Sequence, residues 1–459
     1  MSQATTARPK NISNRRELIE YLHSAARMEH SLCLQYLYAI FSLRRTITDF
    51  PPEQRGPEAY IIMQRNQRWA AQMTQVARQE MDHLGIVQNL LAAIGEPPYF
   101  WRPNFPQPPS TSPLCIKFWL QRLEEETLRR FVDFEMPAYI VERLERPRHR
   151  PAECPHESIQ SFYDEIRAAF SSLPVCELFD GDNRREVQSV GPAPDIAFEG
   201  GVTVLAVTNR AQAGAAIDLI TQQGEGIGDT PQSPDSHYSL FVGVLDEYRA
   251  TREQFQIDPA LPVVTNPAVQ APGSPDVTRV TYPQAVEAIE LFNDAYFLSL
   301  VMLERFFDTF RGYWGLFQQI EAFETEHDLR TKQQNSALLE AVFFPLMTMV
   351  IRPLGEVIQR LPAFENAAVE FDCARAGPSF ELAGYEVPLT GDFAFYQDLF
   401  DKLVRGSRRL AKHLREDPPP LRPDTWKHVR YLHQNLYRMR LNFDRVWHFG
   451  EPSRRGGRR

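Results

Sequence analysis

The sequence predicts a mainly α-helical protein. Two observations lead to this fold class. Long stretches of the 459-residue chain repeat apolar residues at steps of three and four, the spacing that places side chains on one face of a helix. Stretches rich in β-branched residues are few, and VTVLAV (202–207) is the main candidate for a short strand.

Start and stop signals place the individual helices. The first helix should begin at Asn14, which can cap it while Glu17 completes a capping box, and should run to about Arg45. A third helix within 117–146 should be interrupted near Pro137, because proline lacks the amide hydrogen that an interior helical position donates. The other helices are expected at about 60–94, 158–171, 209–225 (capped by Asn209), 236–249, 283–310, 334–361, 393–415 and 425–445.

Charge and composition exclude several classes of function. A formal net charge of −9 argues against a nucleic-acid-binding protein, and we interpret the basic tail SRRGGRR as a disordered end. No uncharged apolar run is long enough to cross a membrane, and MSQATTARPK lacks the apolar centre of a signal peptide. We therefore expect a cytoplasmic protein with no membrane partner. The five scattered cysteines form no Cys-x-x-Cys pair and are expected to be reduced, mostly packed thiols.

Three predicted helices place a glutamate where the apolar pattern calls for a core residue. Glu29 fills such a position in the first helix, and Glu80 and His83 do so in the second. Glu135 shares a face with Leu128 in the third. A buried carboxylate without a positive partner costs several kcal/mol. A cation should therefore lie between these side chains.

Two kinds of cation could neutralise the carboxylates. Each glutamate alone is most simply explained by a structural ion pair, with Arg27, Arg78 or Arg129 as candidate partners. The joint pattern favours two metal ions, since Glu-x-x-His places an oxygen and a nitrogen ligand one helical turn apart. Two-metal bundles take a Glu from each of two helices and a Glu with a nearby His from each of the others. Here Glu225, at the end of one helix, and His237, at the start of the next, could form the second pair.

Four segments carry a combination of motifs that is more specific than any one of them. They are EHSLCLQYLYAIF (29–41), QEMDHLGIVQNLLAAIGEPP (79–98), FVDFEMPAY (131–139), and the stretch from IDLITQQGEG to SHY (217–238). Together they resemble the ferritin-like domain of the iminophenyl-pyruvate dimer synthase family, which belongs to violacein and indolocarbazole biosynthesis. The resemblance covers about residues 11–250, and FPLMTMVIRPLGEVIQRLP (344–362) is similar to the helical part that follows in the family.

The resemblance implies a ferritin-like four-helix bundle with a dinuclear metal centre, followed by additional C-terminal helices. Carried over position by position, it implies six metal ligands: Glu29, Glu80, His83, Glu135, Glu225 and His237. We expect two iron ions, with manganese or a mixed pair as alternatives. The expected function is an oxidative enzyme of secondary metabolism that acts on a small, amino-acid-derived molecule. Its further partners would be dioxygen or peroxide and an electron donor, and we expect a homodimer.

The expected organisation has three parts. A ferritin-like metal-binding domain should span 11–258, a C-terminal helical region 276–450, and the disordered basic tail 451–459, with the Pro-rich segment 259–275 as the connection. Two alternatives to an enzyme are kept. One is a protein that stores metal without catalysis, and the other is a metal-free, partner-binding scaffold in which arginines pair with the inward glutamates.

Overall fold

The protein is built almost entirely from helices, as a computed structural model shows. The structure describes residues 12–143, 154–178, 207, 209–225, 236–270, 275–309, 334, 337–365, 373–382, 392–419 and 422–448. The helices in chain order are α1 (Arg15–Phe41), α2 (Pro57–Ala93), α3 (Glu125–Phe134), α4 (Ala138–Arg143), α5 (Ile159–Ser172), α6 (Val175–Leu178), α7 (Arg210–Glu225), α8 (His237–Phe255), α9 (Pro283–Thr309), α10 (Leu339–Ile358), α11 (Phe393–Glu416) and α12 (Thr425–Trp447). The predicted mainly α-helical fold is confirmed.

Helix α1 begins where its capping signal predicts. The Asn14 side chain accepts a hydrogen bond from the amide of Glu17 at 3.0 Å. The Glu17 carboxylate accepts from the amide of Ser13 at 2.8 Å, so the reciprocal bond of the expected capping box lies one residue earlier. The helix ends at Phe41, before the predicted Arg45. It ends there because the Ser42 hydroxyl bonds back to Ala39 and the chain then turns away.

The interruption predicted near Pro137 separates two short helices. Helix α3 ends at Phe134, with Glu135 as its C-cap residue, and α4 begins at Ala138. The break has a simple cause, since proline cannot donate a helical hydrogen bond and disfavours the helical conformation in the residue before it. Glu135 therefore lies at the end of a helix, whereas the sequence predicted it within one.

The helices of the first half pack in pairs around one core. Helix α1 packs along α2, α3 packs against α8, and α7 packs against α5. Between α1, α3 and α8, the rings of Tyr36, Phe131 and Phe241 lie in mutual contact, with centroids 4.7 to 5.3 Å apart. These contacts enclose the inner faces of the helices that carry the predicted metal ligands.

The second half is a set of long helices that pack on the first. Helices α11 and α12 form a hairpin against α9, and α10 packs between these helices and α1. The approach of α10 to α1 is close, because a Cβ on Gly355 would lie 2.6 Å from the Phe41 ring. Two π-helical turns, Leu339–Phe343 and Met347–Ile351, interrupt α10.

Helix α10 is also the one described helix that is long and apolar enough to cross a membrane by length and composition. Half of its most apolar window is buried inside the protein. A buried core helix of a water-soluble protein meets the same criterion, so this finding is weak evidence for a membrane span.

The predicted connection 259–275 is packed into the protein as far as it is described. Pro267–Ala268 forms a two-residue parallel pairing with Thr278–Arg279. Tyr38 of α1 donates a hydrogen bond to the carbonyl of Val264 at 2.5 Å. One continuous apolar core runs through both halves of the chain.

The proposed domain boundaries stay predictions. The tail 451–459 and residues 202–206 of the candidate strand lie outside the described residues.

The expectation of five reduced cysteines is wrong for one pair. Cys115 and Cys154 form a disulfide, with their Cα atoms 5.7 Å apart. The sequence does not reveal this pairing, because the two residues are 39 positions apart and belong to no spacing motif. Cys33, Cys176 and Cys373 are free thiols. Disulfides are rare in a reducing cytoplasm, and the cytoplasmic location stays a prediction.

Candidate metal centre

The structure brings five of the six predicted ligands together. Glu29 comes from α1, Glu80 and His83 from one face of α2, Glu135 from the end of α3, and His237 from the first position of α8. All five are at most 2% exposed. The start of α8 is fixed by Ser236, whose hydroxyl accepts from the amide of Ser239 and so sets His237 at the beginning of the helix.

The five side chains form two groups of three that share Glu80. In the first group, Nδ1 of His83 lies 3.5 Å from Oε2 of Glu29 and 3.4 Å from Oε2 of Glu80. In the second, Nδ1 of His237 lies 3.0 Å from Oε1 of Glu80 and 3.5 Å from Oε2 of Glu135. Within each group the ligand atoms lie within 4.8 Å of one another. Glu80 therefore offers one oxygen to each group, as a bridging carboxylate does.

The sixth predicted ligand, Glu225, is the last residue of α7, and its side chain lies outside the described residues. The neighbouring backbone does reach the cluster. Gly224 is buried, and a Cβ added to it would lie 3.6 Å from Oε2 of Glu135. The assignment of Glu225 as a ligand stays a prediction, made from the resemblance.

Two glutamines fix the orientation of the histidines. Nε2 of His83 lies 2.9 Å from Oε1 of Gln223, and Nε2 of His237 lies 3.1 Å from Oε1 of Gln79. An amide oxygen only accepts, so each histidine donates from Nε2, which directs Nδ1 into the cluster. Groups that hold the outer nitrogen of a histidine in this way are typical of metal sites.

Two tyrosines hold the outer oxygens of the non-bridging carboxylates. Tyr163 of α5 donates to Oε1 of Glu29 at 2.5 Å, and Tyr36 of α1 donates to Oε1 of Glu135. Tyr36 is fully buried. Tyr163, Gln79 and Gln223 were not predicted as site residues. Gln79 precedes Glu80 and Gln223 lies in the GlnGlyGluGly motif, but no sequence signal points to Tyr163.

Proximity of the carboxylates changes the pKa values of the cluster. Burial, and then the negative charge of Glu80, raise the pKa of Glu29 to about 8. Burial alone would lower the pKa of His237, but the charges and hydrogen bonds of Glu135 and Glu80 outweigh it and raise the pKa to about 9. The pKa of His83 is likewise raised well above 6.5, by Glu29 and Glu80. The metal-free cluster therefore balances its charge by retaining protons.

The residues present fit a pair of metal ions. Oε2 of Glu80, Oε2 of Glu135 and Nδ1 of His237 are buried, and no hydrogen bond of good geometry among the described residues engages them. Buried polar atoms are normally satisfied, so these atoms, which face the two groups, are available to bind cations once the cluster loses its protons. Carboxylate and imidazole ligands in these numbers suit iron or manganese.

The alternative partners named from the sequence are engaged elsewhere. Arg27 donates to Ser24 and to the hydroxyl of Tyr99, and Arg129 pairs with Glu125. Burial raises the pKa of Asp82 to about 7, and the charges of His83 and Arg78 offset part of this rise. Among the described residues, no arginine or lysine forms an ion pair with Glu29, Glu80 or Glu135, so the ion pairs expected for a metal-free scaffold are not formed there.

His30, which follows Glu29, faces away from the cluster. Its Nδ1 donates to the carbonyl of Phe100 at 3.1 Å, and its Nε2 accepts from the hydroxyl of Tyr296 at 2.6 Å. Burial, and then the charge of Arg102, lower the pKa of His30 to about 3. It is a neutral core histidine, in agreement with its omission from the predicted ligands.

Comparison with known proteins supports the same fold. A family model described as Ferritin-like matches residues 22–246. Dichlorochromopyrrolate synthase of Lentzea aerocolonigenes is 29% identical over 81% of this chain and 36% of its own length. 2-Imino-3-(indol-3-yl)propanoate dimerase of Chromobacterium violaceum is 28% identical over 88% of this chain and 37% of its own length. The chain thus spans little more than a third of the length of these relatives.

A crystal structure of a ferritin-like protein from Caulobacter vibrioides is also similar. It is 18% identical, with a TM-score of 0.37, and the match covers 65% of this chain and 89% of that one. The family match and these two enzymes confirm the resemblance predicted from the four sequence segments. Residues 22–246 thus match the Ferritin-like family, and the chain is similar in sequence to the two biosynthetic enzymes named above.

Proposed function

We propose that this protein is a dinuclear metal enzyme, with two iron ions, that oxidises a small, amino-acid-derived molecule in secondary metabolism. The observation that carries the proposal is the pair of buried groups, Glu29–Glu80–His83 and Glu80–Glu135–His237, that share one carboxylate. Glu225 would complete the ligand set. Manganese or a mixed pair is the alternative metal content.

The chain's own residues prepare the centre for this chemistry. Glu80 would bridge the two ions, while Glu29 with His83 and Glu135 with His237 would bind one ion each. When bound, reduced iron with open coordination positions supplies the activation of dioxygen, and an electron donor would be required. The surrounding aromatic and aliphatic core excludes bulk water, which limits the loss of reactive species to solvent.

The substrate class follows from the relatives. One of them is by name a dimerase of an indole imino acid and the other a chromopyrrolate-type synthase. We propose that this chain acts on a related imino acid or on a product made from one. Hydroxylation, desaturation, N-oxygenation and oxidative coupling are the reaction types that this class of centre supports.

Metal content of variants tests the centre. Wild-type protein, reconstituted anaerobically with Fe²⁺ and freed of excess metal, should contain about two iron ions per chain by inductively coupled plasma mass spectrometry. Glu80→Ala should lose both ions, because Glu80 belongs to both groups. Glu304→Gln is the matched control, since Glu304 is also buried but lies on α9 outside the cluster. Retention of two ions by Glu80→Ala would overturn the ligand assignment.

Dioxygen uptake tests the activity. Iron-loaded protein and a chemical reductant should consume dioxygen faster when an imino acid, generated in place from an aromatic amino acid, is added. Glu80→Ala should consume dioxygen no faster than the reductant does without protein. If the dioxygen uptake of iron-loaded wild-type protein does not increase with any imino acid or its products, the proposed substrate class is wrong. If two ions are nevertheless bound, a metal-storage role is favoured.

A further inference from the structure

The two carboxylates that do not bridge use their oxygens in the same way. Oε1 of Glu29 accepts from the hydroxyl of Tyr163, and its Oε2 faces Nδ1 of His83. Oε1 of Glu135 accepts from the hydroxyl of Tyr36, and its Oε2 faces Nδ1 of His237. In both cases the outer oxygen is bound by a phenol and the inner oxygen points into the cluster.

Both phenols are held rigidly. Tyr36 and Tyr163 are fully buried. The Tyr36 ring packs against Phe131 and Phe241 at centroid distances of 4.7 and 4.9 Å, and the Tyr163 ring packs against Phe162 at 5.5 Å. A fixed phenol with a single hydrogen to donate defines where the outer oxygen must lie. It therefore restricts rotation of the carboxylate about its last bond and fixes the direction of the inner oxygen.

The donor type also matters. A lysine or arginine at the same place would neutralise the carboxylate and compete with a metal ion for its charge. A phenol satisfies one oxygen and adds no positive charge of its own. A tyrosine hydroxyl is protonated at neutral pH and is therefore able to donate.

We propose that Tyr163 and Tyr36 are positioning residues, each of which orients the terminal carboxylate of one metal position. Tyr163 serves the position formed by Glu29, Glu80 and His83, and Tyr36 serves the other. The inference rests on the proposed function, because it requires two ions in the cluster. It goes beyond the ligand set, since Tyr163 belongs to α5 and lies 134 positions from Glu29 in the chain.

The proposal predicts an effect on one ion at a time. Loss of a group that orients a ligand typically weakens metal binding by about 10- to 100-fold. Tyr163→Phe should weaken one of the two Fe²⁺ binding steps by this factor and leave the other unchanged, and Tyr36→Phe should do the same for the other step. Tyr38→Phe is the matched control, because Tyr38 is a fully buried tyrosine of α1 whose hydroxyl donates to the backbone carbonyl of Val264.

The experiment is anaerobic calorimetric titration of the metal-free protein with Fe²⁺. The double variants identify the partner of each tyrosine. Tyr163→Phe should add little to the loss caused by Glu29→Gln, whereas Tyr36→Phe should add its full effect to that of Glu29→Gln. Urea unfolding of each metal-free variant is measured in parallel, and a merely structural role predicts lower stability with both dissociation constants unchanged.

The outcomes separate this proposal from the proposed function. If the wild type binds two ions and both tyrosine variants bind them with wild-type affinity, the positioning role is overturned and the dinuclear centre stands. If Tyr38→Phe weakens binding as much as Tyr163→Phe does, the effect is general loosening of the core, and the positioning role is likewise overturned. If the wild type binds no Fe²⁺, the dinuclear centre itself is overturned.

Discussion

Loading of the metal centre should release protons, and their number can be worked out from the structure. At pH 7 the metal-free cluster holds a proton on Glu29, whose pKa is about 8, and on His237, whose pKa is about 9. The pKa of His83 is also raised, because the charges of Glu29 and Glu80 outweigh the effect of its burial. Metal ligands bind in their deprotonated forms, so binding of two ions should displace at least about two protons per chain, those of Glu29 and His237.

The pH dependence follows with a definite sign. Each displaced proton makes metal loading more favourable by about 1.4 kcal/mol per pH unit, so the protons of Glu29 and His237 correspond to about 3 kcal/mol per unit near pH 7. The effect decreases at higher pH, because Glu29 and then His237 lose their protons before the metal arrives. At pH 9 these two groups together should contribute less than about one proton.

The assay is calorimetric titration of the metal-free protein with Mn²⁺ at pH 7, in two buffers with different ionisation enthalpies. The difference in the observed heat, divided by the difference in buffer enthalpy, gives the number of protons released. Glu29→Gln should release about one proton fewer, because the amide does not titrate. A release below one proton per chain at pH 7, with two ions bound, would refute the electrostatic description of the cluster.

Three further predictions concern the fold. Gly355→Ala should lower the free energy of unfolding by about 1 to 3 kcal/mol, because its Cβ would overlap the Phe41 ring. Gly243→Ala should raise the free energy of unfolding by up to about 1 kcal/mol, because its Cβ would meet no neighbouring atom and alanine favours the helix. Equal urea midpoints for the two variants would contradict this prediction. Cys115→Ser should lower the free energy of unfolding by about 2 to 4 kcal/mol, because the disulfide with Cys154 closes a long loop. A reductant should lower the melting temperature of the wild type but not that of this variant. Burial lowers the pKa of His156 to about 4, so between about pH 6.5 and pH 4 only the unfolded chain binds this proton. The free energy of unfolding should therefore fall as the pH is lowered through this range, by at most about 1.4 kcal/mol per pH unit. If His156→Gln shows the same pH dependence of urea unfolding as the wild type, this contribution is excluded.

The sequence by itself determined the helices and the residues that turn inward. Helical periodicity and capping are local properties, so the start of α1 at Asn14 and the break at Pro137 could be predicted from neighbouring residues. The same periodicity identified Glu29 and the Glu80–His83 pair as polar residues on a core face, and the structure buries all three in one cluster. The motif resemblance indicated His237, which the structure also places there.

Only the tertiary structure decided how these residues meet. That Glu80 is shared by two groups depends on the distances between four helices, α1, α2, α3 and α8, which no local pattern encodes. Tyr163 approaches Glu29 because α5 packs on α1, and Cys115 meets Cys154 because two distant segments lie side by side. Periodicity specifies which face of a helix is buried, but the partner of that face is selected by packing over the whole chain. The predicted ligands of α1 and α2 were therefore readable from the sequence, whereas the sharing of Glu80 by two groups and the contacts of the tyrosines and glutamines with these side chains required the fold.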